Sequence, residues 1–476
     1  MNRRDFLGTG MAALANAQPR RPNFLFILAD QFRGDALGVD GNSFVHTPNL
    51  DRLAKSGVRF ANAYAPQAVC TPSRASLLTG VFPTTHRLTD NVYGIDSVFA
   101  LPQYRLEPHY PGLLHGAGYT TGYIGKWHLG EAPSMRPEAQ GFDESLGFMA
   151  GAAMFLPPND PDTVNAQLPF DPIDRFIWAN LPYAIQWNGG QRFRPRGYLT
   201  DYFADEATRA IEANRNRPFF MYLAFNAPHT PLQATRADYE ALSSIPDHTE
   251  RVYAAMIVSL DRAIGRVMQT LRDQGLDENT IVIFTSDNGG AWYVGLPDLN
   301  RPYRGWKATF FEGGIRTPFF ARWPGHIAAG SHIRGPATHM DIFTTAAAAA
   351  GAPTQPQSDG VNLLPYLTGQ QDGVLQRRLF WRSGPYRVVR DGDWKLQVSE
   401  TPDRVWLFDL ANDPIEQHDL SAQQPERVAA MRAMIEAQNA NLPPPLWPAL
   451  LEGPVRIDVP LNTPWSEDQE YVYWSN

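Results

Sequence analysis

The feature that most constrains the fold is a set of four short apolar runs, each with the length of a buried strand. They are FLFILAD from Phe24, YTTGYIGKWH from Tyr119, PFFMYLAFNAPH from Pro218 and TIVIFTSDNGG from Thr280. Apolar runs of this length, rich in β-branched and aromatic residues, are typical of parallel strands covered on both faces. Helical patterns lie between the runs, so the sequence predicts an α/β fold with a mostly parallel sheet sandwiched by helices.

Two of the intervening helices are marked by the residues at their ends. In TPNLDRLAKSG, Thr47 stands at the N-cap, Pro48 at the first helical position and Gly57 past the end. A longer stretch that ends before Gly275 repeats apolar residues along one face, namely Val252, Met256, Leu260, Ile264, Val267 and Leu271. This spacing predicts an amphipathic helix packed on the sheet.

Polar side chains follow each of the four apolar runs at the point where the predicted strand ends. In chain order they are Asp30, Gln31, Lys126, His128, His229, Asp287 and Asn288. Taken singly, each is also explained as a turn residue, and Asp-Asn-Gly-Gly is good turn chemistry. Ligands of open α/β sheets bind outside the carboxyl ends of the strands, so the convergence of these residues predicts a functional site there.

The acids and amides at this edge predict a hard-cation site. Asp30, Asp287, Asn288 and Gln31 offer only oxygen ligands, which suits Ca²⁺, or Mg²⁺, better than zinc. A second group of residues is basic and comprises Arg74, Lys126, His128, His229 and Lys307. A pocket that combines a cation with positive side chains suits an anion with several oxygens, such as sulfate or phosphate.

Cys70 is the single cysteine among 476 residues and lies in VCTPSRASLLTG. It has no partner for an intramolecular disulfide, so it is either a small buried hydrophobe or a chemical group. Pro72 near a helix start puts Cys70 near the positive end of a helix dipole. A cysteine-dependent phosphatase does not fit, because its phosphate loop needs a longer spacing than the three residues between Cys70 and Arg74.

The run CTPSRASLLTG matches the signature of the type I sulfatases, C-x-P-S-R-x-x-x-L-T-G, at every fixed position. TPNLDRLA, GKWHLG, APHTP, TSDNGG and KATFFEGGIRTP resemble other blocks of that family, in its order. The resemblance covers roughly Pro22 to Pro324, and WLFDLANDPIEQHDL resembles the family's carboxyl-terminal subdomain. The chain is thereby similar to the formylglycine-dependent sulfatases of the alkaline-phosphatase-like superfamily.

The resemblance implies an alkaline-phosphatase-like α/β core and a Cys70 that a maturation enzyme oxidises to formylglycine. In that family one hydroxyl of the hydrated aldehyde attacks sulfur, and deprotonation of the other expels sulfate. The implied reaction is the hydrolysis of a sulfate ester of a carbohydrate or an aryl alcohol. Two alternatives remain, a hydrolase of phosphonate or phosphate esters with the same fold, and a non-catalytic anion-binding protein with an unmodified thiol.

By position, the resemblance makes Asp30, Asp287, Asn288 and the modified Cys70 ligands of Ca²⁺, with Mg²⁺ as the alternative. Many family members have Asp-Asp after the first strand, whereas this chain has Gln31 at the second position. An amide oxygen still binds a hard cation, but the site loses one negative charge. We expect Gln31 to be a ligand, and the cation to be held less tightly.

The basic residues also receive roles by position in the resemblance. Arg74 and Lys126 match the groups that hold the formylglycine and its developing charge, and His128 matches the base of the elimination step. His229 and Lys307 match the pair that binds sulfate. Of these two, His229 is the expected proton donor to the leaving oxygen.

The sequence predicts a catalytic domain over residues 20–369 and a carboxyl-terminal subdomain with tail over residues 370–476. Short strands followed by one helix predict a small antiparallel sheet with a packed helix in that second part. Residues 150–196 form an insertion rich in proline and aromatic residues. Such an insertion is typical of a cover over a site or of substrate contacts, and plain surface packing is the alternative.

The amino terminus and the overall charge bear on location and partners. Residues 1–17 are typical of a twin-arginine export signal, with Arg3 and Arg4 before a weakly apolar segment and an Ala-x-Ala site, which predicts a periplasmic or secreted protein. A cytosolic tail is the alternative. The balance of 41 basic and 49 acidic residues, without a long basic run, argues against nucleic acid as a partner. There is no apolar run long enough for a membrane span. The expected partners are a sulfated small molecule or glycan and the maturation enzyme.

Overall fold

The computed structural model describes residues 21–33, 36–42, 44–91, 109–353, 357–371, 374–446, 449 and 452–475. The predicted export signal, residues 1–17, lies outside these described residues. Within them, no helix has both the length and the apolar character needed to cross a membrane.

The first twelve strands of the described chain are β1 (Asn23–Ala29), β2 (Val58–Tyr64), β3 (Thr120–Lys126), β4 (Glu144–Phe148), β5 (Thr163–Ala166), β6 (Ile185–Trp187), β7 (Arg192–Phe193), β8 (Phe219–Ala224), β9 (Leu232–Thr235), β10 (Thr280–Ser286), β11 (Phe319–Arg322) and β12 (Ser331–Thr338). They are followed by β13 (Arg378–Ser383), β14 (Tyr386–Asp391), β15 (Trp394–Glu400), β16 (Asp403–Asp409), β17 (Gly453–Arg456) and β18 (Tyr471–Trp474).

The α-helices are α1 (Pro48–Lys55), α2 (Cys70–Thr79), α3 (Pro83–His86), α4 (Tyr110–Gly116), α5 (Pro172–Asn180), α6 (Leu199–Ala213), α7 (Arg236–Ala241), α8 (His248–Asp273), α9 (Glu312–Ile315), α10 (Met340–Ala350), α11 (Leu364–Leu367) and α12 (Pro425–Asn439). The predicted amphipathic helix is α8, and all six of its expected core positions are buried. Thr47 occupies the N-cap position of α1, but its hydroxyl donates to Asp51 Oδ1 and caps no backbone N–H.

Ten of the strands form one large sheet in the order β12-β2-β11-β10-β1-β8-β3-β4-β6-β7. The five central strands of this sheet pair in parallel, in the order β10, β1, β8, β3 and β4. The four predicted strands are β1, β3, β8 and β10, and they are consecutive neighbours in the sheet. The antiparallel partner β11 and the β6–β7 hairpin were not predicted from the sequence.

Each face of this sheet packs against its own hydrophobic cluster. Leu25 and Ile27 of β1 belong to one cluster, and Phe24 and Phe26 to the other, as the two-residue repeat of a strand requires. Helices α1, α6 and α8 cover the first face, and α2, α4 and α10 cover the second. Truncating one of these side chains to alanine would cost about 2–5 kcal/mol, so both layers fix the strand ends firmly. The predicted mostly parallel sheet between helices is confirmed.

A four-stranded antiparallel sheet, β13-β14-β15-β16, follows, and α12 packs on it through Met431 and Ile435. The predicted antiparallel sheet with one helix is therefore confirmed, while the boundaries at residues 369 and 370 stay a prediction. A third hydrophobic cluster joins this sheet to the main body. In it, Phe310 and Phe311 pack with Trp381 and Trp406.

Candidate active site

The carboxyl ends of the central strands bring the predicted side chains to one place. Ala29 of β1 pairs in register with Ser286 of β10, so Asp30 and Asp287, which come next, leave adjacent strands at the same level. Lys126 ends β3, and β8 lies between β3 and β1. The parallel register thus places the acids, the lysine and the loop after β8 around one edge of the sheet.

Cys70 is the first residue of α2 and is fully buried, and its Sγ has four polar neighbours. Sγ lies 3.8 Å from Asp30 Oδ1 and 3.6 Å from Asn288 Oδ1. The ammonium groups of Lys126 and Lys307 each lie 3.5 Å from Sγ. Burial raises the pKa of the Cys70 thiol, and the two lysines oppose this effect. The cysteine therefore sits among charged groups rather than in apolar packing.

The two buried carboxylates of the site are held by cationic side chains. Lys126 Nζ donates to Asp30 Oδ2 at 2.5 Å. Arg74, one turn along α2, donates through Nε to Asp287 Oδ2 at 3.0 Å and through NH1 to the carbonyl of Lys126 at 2.8 Å. Arg74 thus contacts Asp287 directly, and its NH2 lies 3.6 Å from Asp30 Oδ2. Charges buried this deeply need such partners to be tolerated.

The residues present fit a hard divalent cation. Oxygen atoms of Asp30 and Asn288 lie within 3.8 Å of Cys70 Sγ, and a nitrogen of His229 is also within 4.8 Å of the Asp30 and Cys70 ligand atoms. The amide nitrogen of Asn288 donates to the carbonyl of Gly289 at 2.8 Å, which leaves its oxygen facing Cys70. Carboxylate and amide oxygens of this kind are ligands that Ca²⁺ and Mg²⁺ prefer.

Gln31 is placed at the same edge by its backbone and by its side chain. It adopts a left-handed φ of 58°, and its N–H donates to Asp287 Oδ1 at 3.1 Å. Its amide nitrogen donates to the hydroxyl of Tyr293 at 2.6 Å. That hydroxyl also accepts a hydrogen bond of 3.2 Å from Lys307 Nζ.

Two histidines complete the predicted group. Burial, reinforced by the positive charge of Lys126, lowers the pKa of both His128 and His229 well below the usual value, so both are neutral. His229 Nδ1 lies 2.5 Å from the carbonyl of Thr230, which places the ring proton on Nδ1 and leaves Nε2 for the site. His128 has a left-handed φ of 58°, and Thr71 Oγ1 donates to its carbonyl at 2.8 Å.

Lys307 lies in a loop whose backbone is held by two hydrogen bonds at consecutive residues. Its N–H donates to the carbonyl of Gly290 at 3.0 Å, and the N–H of Ala308 donates to the carbonyl of Ala68 at 3.0 Å. Ala308 adopts a left-handed φ of 67°, which turns the chain at this point. The loop therefore contacts both the strand-end segment of β10 and the segment that leads to Cys70.

Sequence reasoning missed two residues that touch this group. Tyr293 contacts Gln31 and Lys307, and its only sequence signal is its place between the TSDNGG and KATFFEGG blocks. His339 Nδ1 lies 3.3 Å from the hydroxyl of Ser73, and that hydroxyl donates to the carbonyl of Asp287 at 2.7 Å. No spacing rule connects His339 with the strand ends.

An open cleft borders β4 and β6, and the carbonyl of Met149, one of its lining residues, accepts a hydrogen bond of 3.1 Å from the N–H of His128. Its lining includes Phe148, Met149 and Ile185 along with the charged side chains of Glu131 and Arg192. Arg192 pairs with Glu131 at 3.1 Å and comes from the β6–β7 hairpin in the predicted insertion. The nearby Trp187 is 45% exposed. The insertion thus contributes one wall of a cleft that has both apolar and charged surface.

The chain is similar to known proteins in sequence and in fold. A family model described as Sulfatase matches residues 22–352. N-acetylgalactosamine-6-sulfatase of Mus musculus is 34% identical over 414 residues, which cover 82% of this chain and 74% of that protein. Arylsulfatase A of Homo sapiens is 34% identical over 459 residues, covering 86% and 85%. The crystal structure of Ps i-CgsB in complex with k-i-k-neocarrahexaose has a TM-score of 0.78 and 30% identity, covering 90% of this chain and 95% of that one.

Proposed function

Since the chain belongs to the sulfatase family and is a sulfuric ester hydrolase, we propose that it releases sulfate at residue 70, after Cys70 is oxidised to formylglycine by a maturation enzyme. One observation carries the proposal, namely that Cys70 Sγ has two oxygen atoms and two ammonium groups within 3.8 Å. Hydrated formylglycine supplies two hydroxyls, one to attack sulfur and one whose deprotonation expels sulfate.

Asp30, Gln31, Asp287 and Asn288, together with residue 70, are the proposed ligands of a Ca²⁺ ion, with Mg²⁺ as the alternative. The cation supplies Lewis-acid stabilisation of negative charge on oxygen. The chain's own contribution is to hold the oxygens in place. Lys126 and Arg74 fix the carboxylates, and the Asn288 amide is fixed by its bond to the following carbonyl.

The basic residues would bind the sulfate group and transfer protons to and from the reacting groups. Lys126 and Lys307 flank residue 70, and their proposed roles are to hold the formylglycine and, for Lys307 together with His229, to bind sulfate oxygens. His128, neutral because of its burial, is the proposed base for the deprotonation that expels sulfate. His229 presents Nε2 and is the proposed proton donor to the leaving oxygen, which requires the bound anion to raise its proton affinity first.

We take the substrate to be a sulfated carbohydrate. Relatives of this chain are named N-acetylgalactosamine-6-sulfatase, and a structural neighbour was crystallised in complex with k-i-k-neocarrahexaose. The cleft lined by Arg192 supports the same choice, because the neighbouring ring of Trp187 is exposed and Arg192 suits an acidic sugar whose acid group replaces its partner Glu131. The alternative is an aryl sulfate. The export signal expected in residues 1–17 would place the protein in the periplasm or outside the cell.

Phosphonate or phosphate ester hydrolysis is the second candidate function, and the neutral amide of Gln31 favours it. One negative charge fewer beside the cation makes the pocket more tolerant of a more highly charged anion. Rates with a sulfate and a phosphate ester of the same alcohol test the choice. We expect faster release of sulfate by at least a factor of about 100, and faster release of phosphate would contradict the assignment.

The substrate class is tested with a panel of sulfated saccharides and aryl sulfates. We expect kcat/KM to be higher for the best saccharide, and Arg192→Ala to lower kcat/KM for that saccharide while leaving aryl sulfates unchanged. Arg209→Ala is the matched control, since Arg209 lies on α6 and pairs with Glu206 at the surface. Equal effects of Arg192→Ala on both substrate types would contradict a role of the cleft in binding sugar.

A further inference from the structure

The hydroxyl of Tyr293 contacts both the unusual amide of the cation site and a lysine that flanks residue 70. Gln31 Nε2 lies 2.6 Å from this hydroxyl, and Lys307 Nζ lies 3.2 Å from it. Tyr293 is only 6% exposed, and its ring packs in the hydrophobic cluster on the α8 face of the sheet. The hydroxyl is thus a fixed polar group at the edge of the site.

The amide nitrogen of Gln31 is the atom that faces Tyr293. A lysine ammonium and an amide NH₂ only donate, so the Tyr293 hydroxyl accepts from both with its two lone pairs. The amide oxygen of Gln31 then points away from Tyr293. Because the Gln31 N–H is bonded to Asp287, the residue is anchored beside a proposed ligand of the cation. The opposite amide orientation would turn a donor group toward a positive ion.

A glutamine needs this help more than the aspartate found in many sulfatases. Its longer side chain has more rotamer freedom to lose on ordering, and its amide carries no net charge to attract the cation. A partner that fixes the amide in advance removes part of that cost from binding. The 2.6 Å hydrogen bond to Tyr293 does this for Gln31.

We propose that Tyr293 is a positioning residue that makes Gln31 an effective ligand of the divalent cation. The inference rests on the proposed function, since it takes Gln31 to be a ligand. It concerns a residue outside the motifs of the sequence, and it explains how a neutral amide serves where a carboxylate is usual.

Tyr293→Phe removes the hydroxyl and keeps the ring, including its contact with Lys307 Nζ 5.5 Å from the ring centroid. Ca²⁺ affinity of chelator-treated protein is measured by titration calorimetry in four proteins, wild type, Tyr293→Phe, Gln31→Asp and the double variant. We expect Tyr293→Phe to weaken Ca²⁺ binding about five- to tenfold in the wild-type background, the effect of losing the hydrogen bond to Gln31. The hydrogen bond to Lys307 is lost in both backgrounds and cancels in the comparison. In the Gln31→Asp background we expect a change below about twofold, because the shorter carboxylate has no NH₂ to be oriented.

Tyr198→Phe is the matched control. Its hydroxyl is also buried in the same cluster and donates to the carbonyl of Gln233 at 2.8 Å, so its loss should leave Ca²⁺ affinity unchanged. The rise in melting temperature on adding Ca²⁺ gives a second reading for each variant and shows that each is folded.

An equal loss of affinity in both backgrounds, or no loss in Tyr293→Phe, would overturn the positioning role. If Gln31→Ala weakens Ca²⁺ binding while Tyr293→Phe does not, the positioning role fails and Gln31 remains a ligand. If wild-type protein binds no Ca²⁺ or Mg²⁺, the proposed function fails with it.

Discussion

Two buried clusters of charged residues in this protein contain lysines and carboxylates but have different roles. At the interface with the antiparallel sheet, Lys395 Nζ lies 2.8 Å from Glu312 and 2.9 Å from Glu416, and all three side chains are fully buried. Around residue 70, by contrast, the contacts of Sγ are 3.5–3.8 Å long. Both clusters contain ion pairs, since Lys126 pairs with Asp30 and Arg74 with Asp287, but the second also surrounds a side chain that carries no charge as a thiol.

The difference shows how structural and catalytic charges are told apart. In the interface cluster the acids are further satisfied by neighbours. The hydroxyl of Tyr64 donates to Glu312 at 2.8 Å, and Gln397 donates to Glu416 at 3.1 Å. The charged groups of this cluster therefore bind one another, which is a structural role. Around residue 70, Lys126 is paired with Asp30, but both Lys126 and Lys307 also face a neutral thiol, an arrangement that suits an anion at that position.

The largest expected effect concerns residue 70 itself. Cys70→Ala should lower kcat by at least about a thousandfold, because the attacking hydroxyl exists only on a modified Cys70. The melting temperature should stay close to that of the wild type, since alanine fits the start of α2. Sulfate release and thermal unfolding measure the two quantities, and undiminished turnover would remove the mechanism.

The next largest effects come from substituting one lysine in each cluster, which should change different properties of the protein. Lys307→Ala should lower kcat/KM by about a hundred- to a thousandfold with little change in stability, because it removes charge stabilisation at the site. Lys395→Ala should destabilise the fold by about 3–5 kcal/mol by leaving two carboxylates buried without their cation, while the folded fraction keeps its turnover. Denaturant unfolding and turnover per folded molecule check both. If both variants lost the same property, the distinction between the clusters would be wrong.

The features that could be predicted from the sequence are those that depend on local patterns or on the register of parallel strands. The strand ends could be read because parallel strands in register deliver their next residues to one edge, as with Asp30 and Asp287. Cys70 could be placed by the helix-start signals after it, and α2 does begin there. The roles assigned to these residues remain predictions.

The rest depends on packing between segments that no local pattern links. Lys395 meets Glu312 across 83 residues of sequence, and Tyr293 meets Gln31 across 262. Lys395 lies on β15, Glu312 begins α9 and Tyr293 lies in a 3-10 turn, and only the folded chain brings such distant segments together. The side-chain cap predicted for α1 is missing for a similar reason, because the Thr47 hydroxyl donates to Asp51 and accepts from the N–H of Gly38 instead of from an N–H of the helix.

Cation removal should affect the residue-70 site alone. Ca²⁺ at about a hundred times its Kd should stabilise the wild type by about 2.7 kcal/mol over chelator-treated protein. Lys395→Ala should gain the same increment, because its cluster is separate, whereas Asp287→Ala should gain much less. Melting curves with and without Ca²⁺ provide the measurement. An equal gain in Asp287→Ala would place the cation elsewhere.

The smallest effect is a pH dependence of the interface cluster. Burial raises the pKa of Glu416 from 4.5 to about 7, so the folded chain keeps a proton that the unfolded chain releases. A raised pKa means that this contribution to stability is full below about pH 4.5 and declines as the pH rises toward 7. Glu416→Gln lacks this titration, so its stability relative to wild type should improve by about 1–2 kcal/mol between pH 5 and 8. Parallel unfolding curves at the two pH values that show no relative change would contradict it.

The central claim is that turnover belongs to an oxidised residue 70. Varying the amount of maturation enzyme in the host gives preparations with different fractions of formylglycine at position 70. Mass spectrometry of the peptide that carries VCTPSR measures this fraction. Sulfate released per milligram should rise in proportion to the fraction with formylglycine at position 70 and vanish when that fraction is zero. Full turnover from protein in which every residue 70 is still a cysteine would contradict the account.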